Sequence, residues 1–211
     1  MDDTRQLLMD SAGPLFAERG FRATTVREIC ELAKANQAAI NYHFRDKEKL
    51  YIECVRHAGQ RCLDRVPLPV WREGTPPQEK LRDFVRMFLN RVAVDHEPDW
   101  HGQLIMREML LPTKACVEFV KNYVRPTHGV LGGILGELLP PDVTERTRLL
   151  IGFSIIGQIL HYRSARPVLV MLVGQETFQS FDVDTLTDHI TNFSLAAIAR
   201  FAAPAAAPEA P

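Results

Sequence analysis

The sequence has no excess of positive charge. Its 211 residues include 25 lysines and arginines against 26 aspartates and glutamates, for a formal charge of −1. A uniformly basic chain would point directly to nucleic acid. Any nucleic-acid binding by this protein must therefore use a local patch.

The sequence also lacks a long hydrophobic run. The longest one, LLIGFSIIGQIL at residues 149–160, has 12 residues and contains Gln158, whereas a helix that spans a bilayer needs about 18 or more. The N-terminal stretch MDDTRQLLMD is acidic, where a secretory signal would be basic. We therefore expect a cytoplasmic protein with no membrane partner.

Cysteines are few and carry no metal-binding pattern. The four are Cys30, Cys54, Cys62 and Cys116, with no Cys-x-x-Cys pair among them. We expect them to be reduced and to pack as small hydrophobic side chains; a redox sensor is the alternative. His96, Glu97, Asp99 and His101 lie in a loop that contains a proline and lacks zinc-type spacing. No metal site is predicted there.

Catalytic motifs are absent as well. The sequence has no Gly-x-Ser-x-Gly elbow, no phosphate-binding glycine loop and no His-Glu-x-x-His helix. The protein is therefore not predicted to be an enzyme or to hold a cofactor, and a small helical enzyme is the least favoured interpretation.

What the sequence does contain is helical periodicity along almost its whole length. A first helix is predicted from Asp2 or Asp3 to Gly20. Thr25 and Glu28 form a capping box that opens a second helix. Asn36 and Asp46 are suitable N-caps for a third and a fourth helix. The predicted fold class is all-α.

Two regions and a tail are predicted. The segment PLPVWREGTPP, at residues 67–77, contains four prolines and reads as a hinge. Residues 1–50 are predicted to form a three-helix domain with a helix-turn-helix, and residues 51–203 a larger helical domain. Further helices are predicted at 78–95, 100–111, 113–139 with a break near Pro126, 142–163 and 184–201. Residues 204–211 are predicted to be disordered.

The third helix is the candidate recognition helix. In a helix-turn-helix the second helix enters the major groove of DNA, and Gln37, Ala38, Asn41 and Tyr42 share one face of it, away from Ile40. Amides suit adenine edges, and Ala38 can meet a thymine methyl. Thr25, Tyr42 and Lys47 lie at helix ends, where such groups typically hold phosphates. The alternative is an ordinary solvated helix.

The same residues resemble a known family. Residues 4–53, with LFAERGF followed by ATTV and then NQAAINYHFRDKEKLY, closely resemble the DNA-binding domain of the TetR/AcrR transcriptional repressors. The resemblance implies a homodimer that binds a partly palindromic operator on double-stranded DNA until a small-molecule inducer releases it. It also implies DNA contacts by Thr25, Gln37, Tyr42, His43 and Lys47. Where most members have glycine in the turn, this chain has Lys34.

The C-terminal region resembles one branch of that family. The segments LIMREMLLPT, VRPTHGVLGGILGELLP and IIGQILHYRSARPVL are similar to the C-terminal domain of the CecR-type branch. The last two long helices resemble the pair that forms the family's four-helix dimer interface. The predicted interface residues are Phe153, Ile156, Leu160, Leu186, Ile190, Phe193 and Ala197.

A ligand cavity is expected among the fifth to eighth helices, where apolar walls meet a few polar groups. The candidate ligand contacts are Arg107, Glu108, His128, Gln158, His161 and Tyr162. Each of them can equally be an ordinary core or surface residue. A regulator of the same fold that takes no small molecule is therefore the main alternative to a ligand-released repressor.

Overall fold

A computed structural model describes residues 3–92 and 100–202, and within these ranges it contains helices and no β-strand. This confirms the all-α fold class. The helices are α1 Asp3–Ala23, α2 Val26–Ala33, α3 Gln37–Phe44, α4 Lys47–Arg65, α5 Pro77–Val92, α6 Trp100–Leu110, α7 Cys116–Phe119, α8 Arg125–Leu138, α9 Glu145–Ser164, α10 Arg166–Val173, α11 Gln175–Gln179 and α12 Val183–Ala202. The predicted tail 204–211 lies outside the described residues, as do His96, Glu97 and Asp99. None of the helices in the described ranges combines the length and the apolarity needed to cross a bilayer.

The second, third and fourth helices begin where the capping residues predict. Thr25 and Glu28 form the complete capping box at the start of α2. The side chains of Asn36 and Asp46 accept the backbone N–H groups of Ala39 and Lys49, respectively. Each cap satisfies a donor that the helix itself leaves without a partner. Local sequence thus fixes the boundaries of the helix-turn-helix.

Two non-glycine residues with positive φ bound the recognition helix α3. Lys34 ends α2 in the left-handed conformation, with φ 51° and ψ 38°, and Arg45 ends α3 with φ 73° and ψ −44°. The N–H of Arg45 donates to the carbonyl of Asn41. Lys34 therefore keeps the tight turn in the conformation that glycine would adopt, at a steric cost of about 1 kcal/mol.

Replacing Lys34 with glycine is expected to raise the free energy of unfolding by about 0.5 to 1 kcal/mol. The substitution relieves the steric cost at φ 51°, although the greater freedom of glycine in the unfolded chain offsets part of the gain. Thermal or urea unfolding measures the difference. Lys34→Ala is the control, because it removes the charge but not the strain, and it is expected to leave stability nearly unchanged. A Lys34→Gly protein less stable than Lys34→Ala would contradict this account.

The residues divide by contact into two compact units. The first comprises Met1–Pro67 and Asp95–Pro126, and the second comprises Leu68–Val94 and Thr127–Pro211. The first unit thus contains α6 and α7 as well as the helix-turn-helix. The domain boundaries predicted at residues 50 and 203 concern binding roles and stay a prediction.

The core of the first unit joins α1 to α4 with α6 and α7. Its fully buried side chains include Leu8, Phe16, Ile29, Leu50 and Leu104. Ile40 and Phe44 of α3 pack into the same core, where they are 1% and 4% exposed. Because α3 is anchored on this inner face, its opposite face is held in a fixed orientation toward solvent.

In the second unit, α5 packs along α12 and also contacts α9. Arg82 pairs with Asp188, and the Arg86 guanidinium lies 3.0 Å from the carboxylate of Asp184. Leu81, Phe84 and Val85 of α5 are fully buried, as is Ile190 of α12.

The break predicted near Pro126 is a π-helical turn at Val120–Val124, directly before α8. Proline cannot donate the backbone hydrogen bond that a regular helix needs at that position. The apolar segment PVLVMLVG, for which both a strand and a helical turn fit the sequence, is helical and forms most of α10.

Candidate nucleic-acid interface

The predicted readout face of α3 is exposed to solvent. Gln37, Ala38, Asn41 and Tyr42 all lie on the exposed side of the helix, and the Tyr42 side chain is 83% exposed. The Tyr42 and His43 rings meet edge to face, with centroids 4.9 Å apart. The exposed face of α3 thus presents two amides and a methyl group outward, which are the groups that read base edges in a major groove.

The charges around α3 supply a local basic patch. Lys34, Arg45 and Lys49 are exposed beside the helix. Two nearby carboxylates have partners within the chain. The side chain of Asp46 caps α4, and the Glu48 carboxylate lies 2.9 Å from the Lys114 ammonium. A chain with almost no net charge can therefore still attract phosphates at this surface.

Thr25 has a structural role as well as a predicted DNA contact. Its hydroxyl donates to the Glu28 carboxylate at 2.7 Å and accepts the Glu28 N–H at 3.2 Å. The Glu28 carboxylate also accepts the Thr25 N–H at 2.9 Å. The hydrogen bonds from the Thr25 hydroxyl and N–H lower the pKa of Glu28, and the Arg19 guanidinium acts in the same direction. The cap fixes the start of α2, the first helix of the helix-turn-helix.

Lys47 is the predicted phosphate contact whose placement differs most from expectation. Its ammonium donates to the carbonyls of Phe21 at 2.9 Å and Thr24 at 2.8 Å, and it lies 4.4 Å from the centroid of the Phe21 ring. An ammonium has three donors, so one remains for a phosphate. Replacing Lys47 would also release the start of α4 from the end of α1, and such a variant would not isolate a DNA contact.

Arg107, a predicted ligand contact, holds the end of α1. Its guanidinium donates to the carbonyls of Glu18 at 3.4 Å and Arg19 at 3.1 Å. Gly20 makes this approach possible, because a Cβ there would lie 2.5 Å from Nε of Arg107. With φ 82° and ψ 172°, Gly20 also has a backbone conformation that is nearly restricted to glycine.

Glu108, a predicted ligand contact, has a structural role in this chain. Its side chain is fully buried. One carboxylate oxygen accepts the Tyr51 hydroxyl at 2.7 Å, and the other accepts the Thr113 N–H at 2.6 Å. Burial, together with the bond to Glu108, raises the pKa of Tyr51 well above its usual range, so the phenol stays a donor. Sequence reasoning missed this link, because the two partners are 57 residues apart.

The other four candidate ligand contacts lie in the second unit. His128 has a buried Nε2 without a hydrogen-bond partner among the described residues, and its ring lies 5.3 Å from that of Phe153. Gln158 donates to the carbonyl of Ser154 on its own helix. His161 is exposed, and Tyr162 is half-buried. The described residues also include two buried hydroxyls without a partner that the sequence did not single out, on Thr191 and Ser194.

The predicted interface residues fall into two groups. Phe153 and Phe193 are 57% and 60% exposed, Ala197 is exposed, and Ile156 and Leu160 are half-buried. Leu186 and Ile190 are only 5% and 0% exposed, so their assignment to the interface is wrong. They lie on the buried face of α12, the helix that α5 covers.

Two family descriptions match the chain. Residues 8–54 match the tetR family of bacterial regulatory proteins. Residues 77–198, more than half of the chain, match the C-terminal domain of the HTH-type transcriptional dual regulator CecR. CecR of Shigella flexneri is 25% identical over 90% of this chain and 89% of its own length.

Solved structures share the fold. A TetR-like transcriptional regulator from Rhodococcus sp. RHA1 has a TM-score of 0.62 and 19% identity, over 93% of this chain and 96% of that one. AibR, crystallised with isovaleryl coenzyme A and operator DNA, has a TM-score of 0.59 and 16% identity, over 90% of this chain and 97% of its own.

Proposed function

Because the chain belongs to the TetR family of bacterial transcriptional regulators, with a CecR-like C-terminal domain, it is a DNA-binding regulator, and we propose that it is a homodimeric repressor of a palindromic operator. The observation that carries the proposal is the exposed amide face of α3, held by the buried side chains of Ile40 and Phe44. Gln37 and Asn41 are the proposed base readers. Ala38 meets a thymine methyl, and Thr25, Tyr42, His43 and Lys47 position the helix on the phosphates.

Exposed aromatic side chains on two long helices support the dimer. α9 and α12 each leave a large aromatic side chain more than half exposed, Phe153 and Phe193. Aromatic residues on long helices are favourable anchors for a partner because each buries a large apolar area. Ile156, Leu160 and Ala197 complete the proposed contact surface.

We further propose that a small molecule controls DNA binding. A buried nitrogen on His128 and buried hydroxyls on Thr191 and Ser194 lack protein partners among the described residues, and such groups normally bond to water or to a ligand. AibR shows that a protein of this fold can bind an acyl coenzyme A as well as operator DNA. A regulator without an inducer is the alternative, and the name of CecR as a dual regulator makes activation the alternative to repression.

Selection of bound fragments from random DNA is expected to yield a site with two symmetric halves. Gln37→Ala is then expected to cost about 1 to 3 kcal/mol on that site and to relax the preference at one base step. Tyr42→Phe, which removes only a hydroxyl and keeps the exposed ring, is expected to weaken binding to all sequences alike. Fluorescence anisotropy on a panel of altered sites separates the two effects.

The contrast between the two variants is the decisive result. If Gln37→Ala and Tyr42→Phe changed affinity in the same way across the whole panel, the division into base-reading residues and phosphate-contacting residues would be wrong. A selection that returned no preferred sequence would count against the regulator itself.

A further inference from the structure

The first unit contains a cleft of about 920 Å³, whose lining includes Arg107 but none of the other candidate ligand contacts. The end of α1, the first half of α4, and the end of α6 with the loop behind it form its walls. Its volume lies at the upper end of the range of small-molecule sites.

The cleft is strongly cationic. Arg19, Arg22, Arg107 and Lys114 line it, against the single carboxylate of Glu48. Arg19 is paired outside the cleft with Glu28 at 2.9 Å, and Lys114 is paired with Glu48 at 2.9 Å. Two guanidinium charges therefore remain without a carboxylate.

These two guanidinium groups are available for a ligand. Arg22 makes no hydrogen bond or ion pair within residues 3–92 and 100–202, and it is exposed. Arg107 uses two of its donors on backbone carbonyls, and a guanidinium has five. A planar group with three spare N–H donors at the wall of a cleft is well suited to a carboxylate or phosphate.

Apolar side chains line the cleft beside these two arginines. Phe21, Ile52 and Pro112 line the cleft, together with Leu110 and Leu111. These two leucines are 66% and 64% exposed, so they have apolar surface left to bury. A ligand that satisfies both walls must carry an acidic head and an apolar body.

We propose that this cleft binds an amphipathic organic anion, with its acidic head on Arg22 and Arg107 and its apolar part on Leu110 and Leu111. The binding also weakens DNA affinity, a step that rests on the proposed function. A head group that draws Arg107 toward itself loosens the bonds to Glu18 and Arg19 at the end of α1. The adjacent Phe21 carbonyl holds Lys47 at the start of α4, so the displacement reaches the helix-turn-helix.

Calorimetry with the full chain and no DNA tests the site directly. Decanoate and decyl phosphate carry the two possible acidic heads, and decanol is the neutral control, each kept below its micelle concentration. At least one anion is expected to bind with a dissociation constant below about 1 mM, and decanol more weakly. Arg22→Gln and Arg107→Gln are each expected to weaken binding by about tenfold or more.

Arg27→Gln is the matched control, because Arg27 is an exposed arginine on α2 that pairs with Glu31 and does not line the cleft. It is expected to bind the anion as well as the unmodified protein does. If Arg107→Gln proves unstable in a thermal melt, anion binding by Arg22→Gln alone tests the proposed site. Binding of decanol as tight as that of both anions, or anion binding unchanged in Arg22→Gln, would overturn the proposal.

The effect on DNA binding is measured separately, by adding the anion that binds to a complex of the protein with the selected DNA site. A drop in DNA affinity of about fivefold or more is the expected result. Anion binding without any change in DNA affinity would refute the coupling, although the site itself would stand. Failure of the protein to select any DNA would refute the proposed function and leave the calorimetric result unaffected.

Discussion

Glu108→Ala is expected to lower the free energy of unfolding by about 2 to 5 kcal/mol. The substitution leaves the Tyr51 hydroxyl and the Thr113 N–H without the carboxylate oxygens that accept them at 2.7 and 2.6 Å. The Tyr51 hydroxyl is a buried donor, and leaving such a donor without a partner costs about 1 to 3 kcal/mol. The half-buried Thr113 N–H and the lost side-chain volume add to this cost. Urea unfolding measures the change.

Three variants refine the result. Glu118→Ala makes the same replacement at an exposed position on α7, and it is expected to change stability by about 0.5 kcal/mol or less. Tyr51→Phe removes one donor, so combining it with Glu108→Ala is expected to cost less than the sum of the two single changes. A Glu108→Ala protein as stable as Glu118→Ala would show that the network does not hold α6 to α4.

The helix-turn-helix could be predicted closely because its signals are local. Thr25, Asn36 and Asp46 each cap a helix through a backbone N–H three residues away, and a window of a few residues contains both partners. The recognition face follows from the same geometry, since Ile40 fixes the buried side of α3. These features required no knowledge of the rest of the chain.

The links between helices could not be predicted, because their partners are distant in sequence. Lys47 bonds to carbonyls 23 and 26 residues away, and Arg107 bonds to carbonyls 88 and 89 residues away. The backbone carbonyls that these cations select carry no sequence signal. A polar residue on an apolar helix therefore indicated a buried or functional group without showing which of the two it was.

The error at Leu186 and Ile190 has a different cause. Helical periodicity identifies an apolar face, but it does not tell whether the chain itself or a second copy covers that face. α12 is apolar on two sides, with Ile190 fully buried inside the chain and Phe193 60% exposed. The predicted interface residues of α12 are Leu186, Ile190, Phe193 and Ala197, which repeat at helical spacing but come from both sides of the helix.

The double substitution Phe153→Glu and Phe193→Glu is expected to convert the protein from a dimer into a folded monomer. Both side chains are more than half exposed in the single chain, so they have apolar area left to bury in a partner. Each residue occurs twice in a symmetric interface. At about 1 kcal/mol or more per aromatic contact, the loss is at least about 4 kcal/mol, which is a factor of about a thousand in the dimer dissociation constant.

Operator affinity is expected to fall with the dimer. Two recognition helices about 34 to 36 Å apart engage both half-sites of a palindrome, and a monomer loses the gain from the second one. That gain is typically about a hundredfold to ten-thousandfold. Fluorescence anisotropy on the selected site, at protein concentrations where sedimentation shows each oligomeric state, measures the loss.

Two comparisons keep this result from being mistaken for unfolding. Val117→Glu places a carboxylate at a position on α7 that is 71% exposed, and it is expected to leave both the dimer and operator binding unchanged. The double variant is expected to retain its helical circular dichroism and its binding to a single half-site. A double variant that remains dimeric would exclude these faces of α9 and α12 as the interface. A monomeric variant that still bound the full site with unchanged affinity would show that operator affinity does not depend on dimerisation.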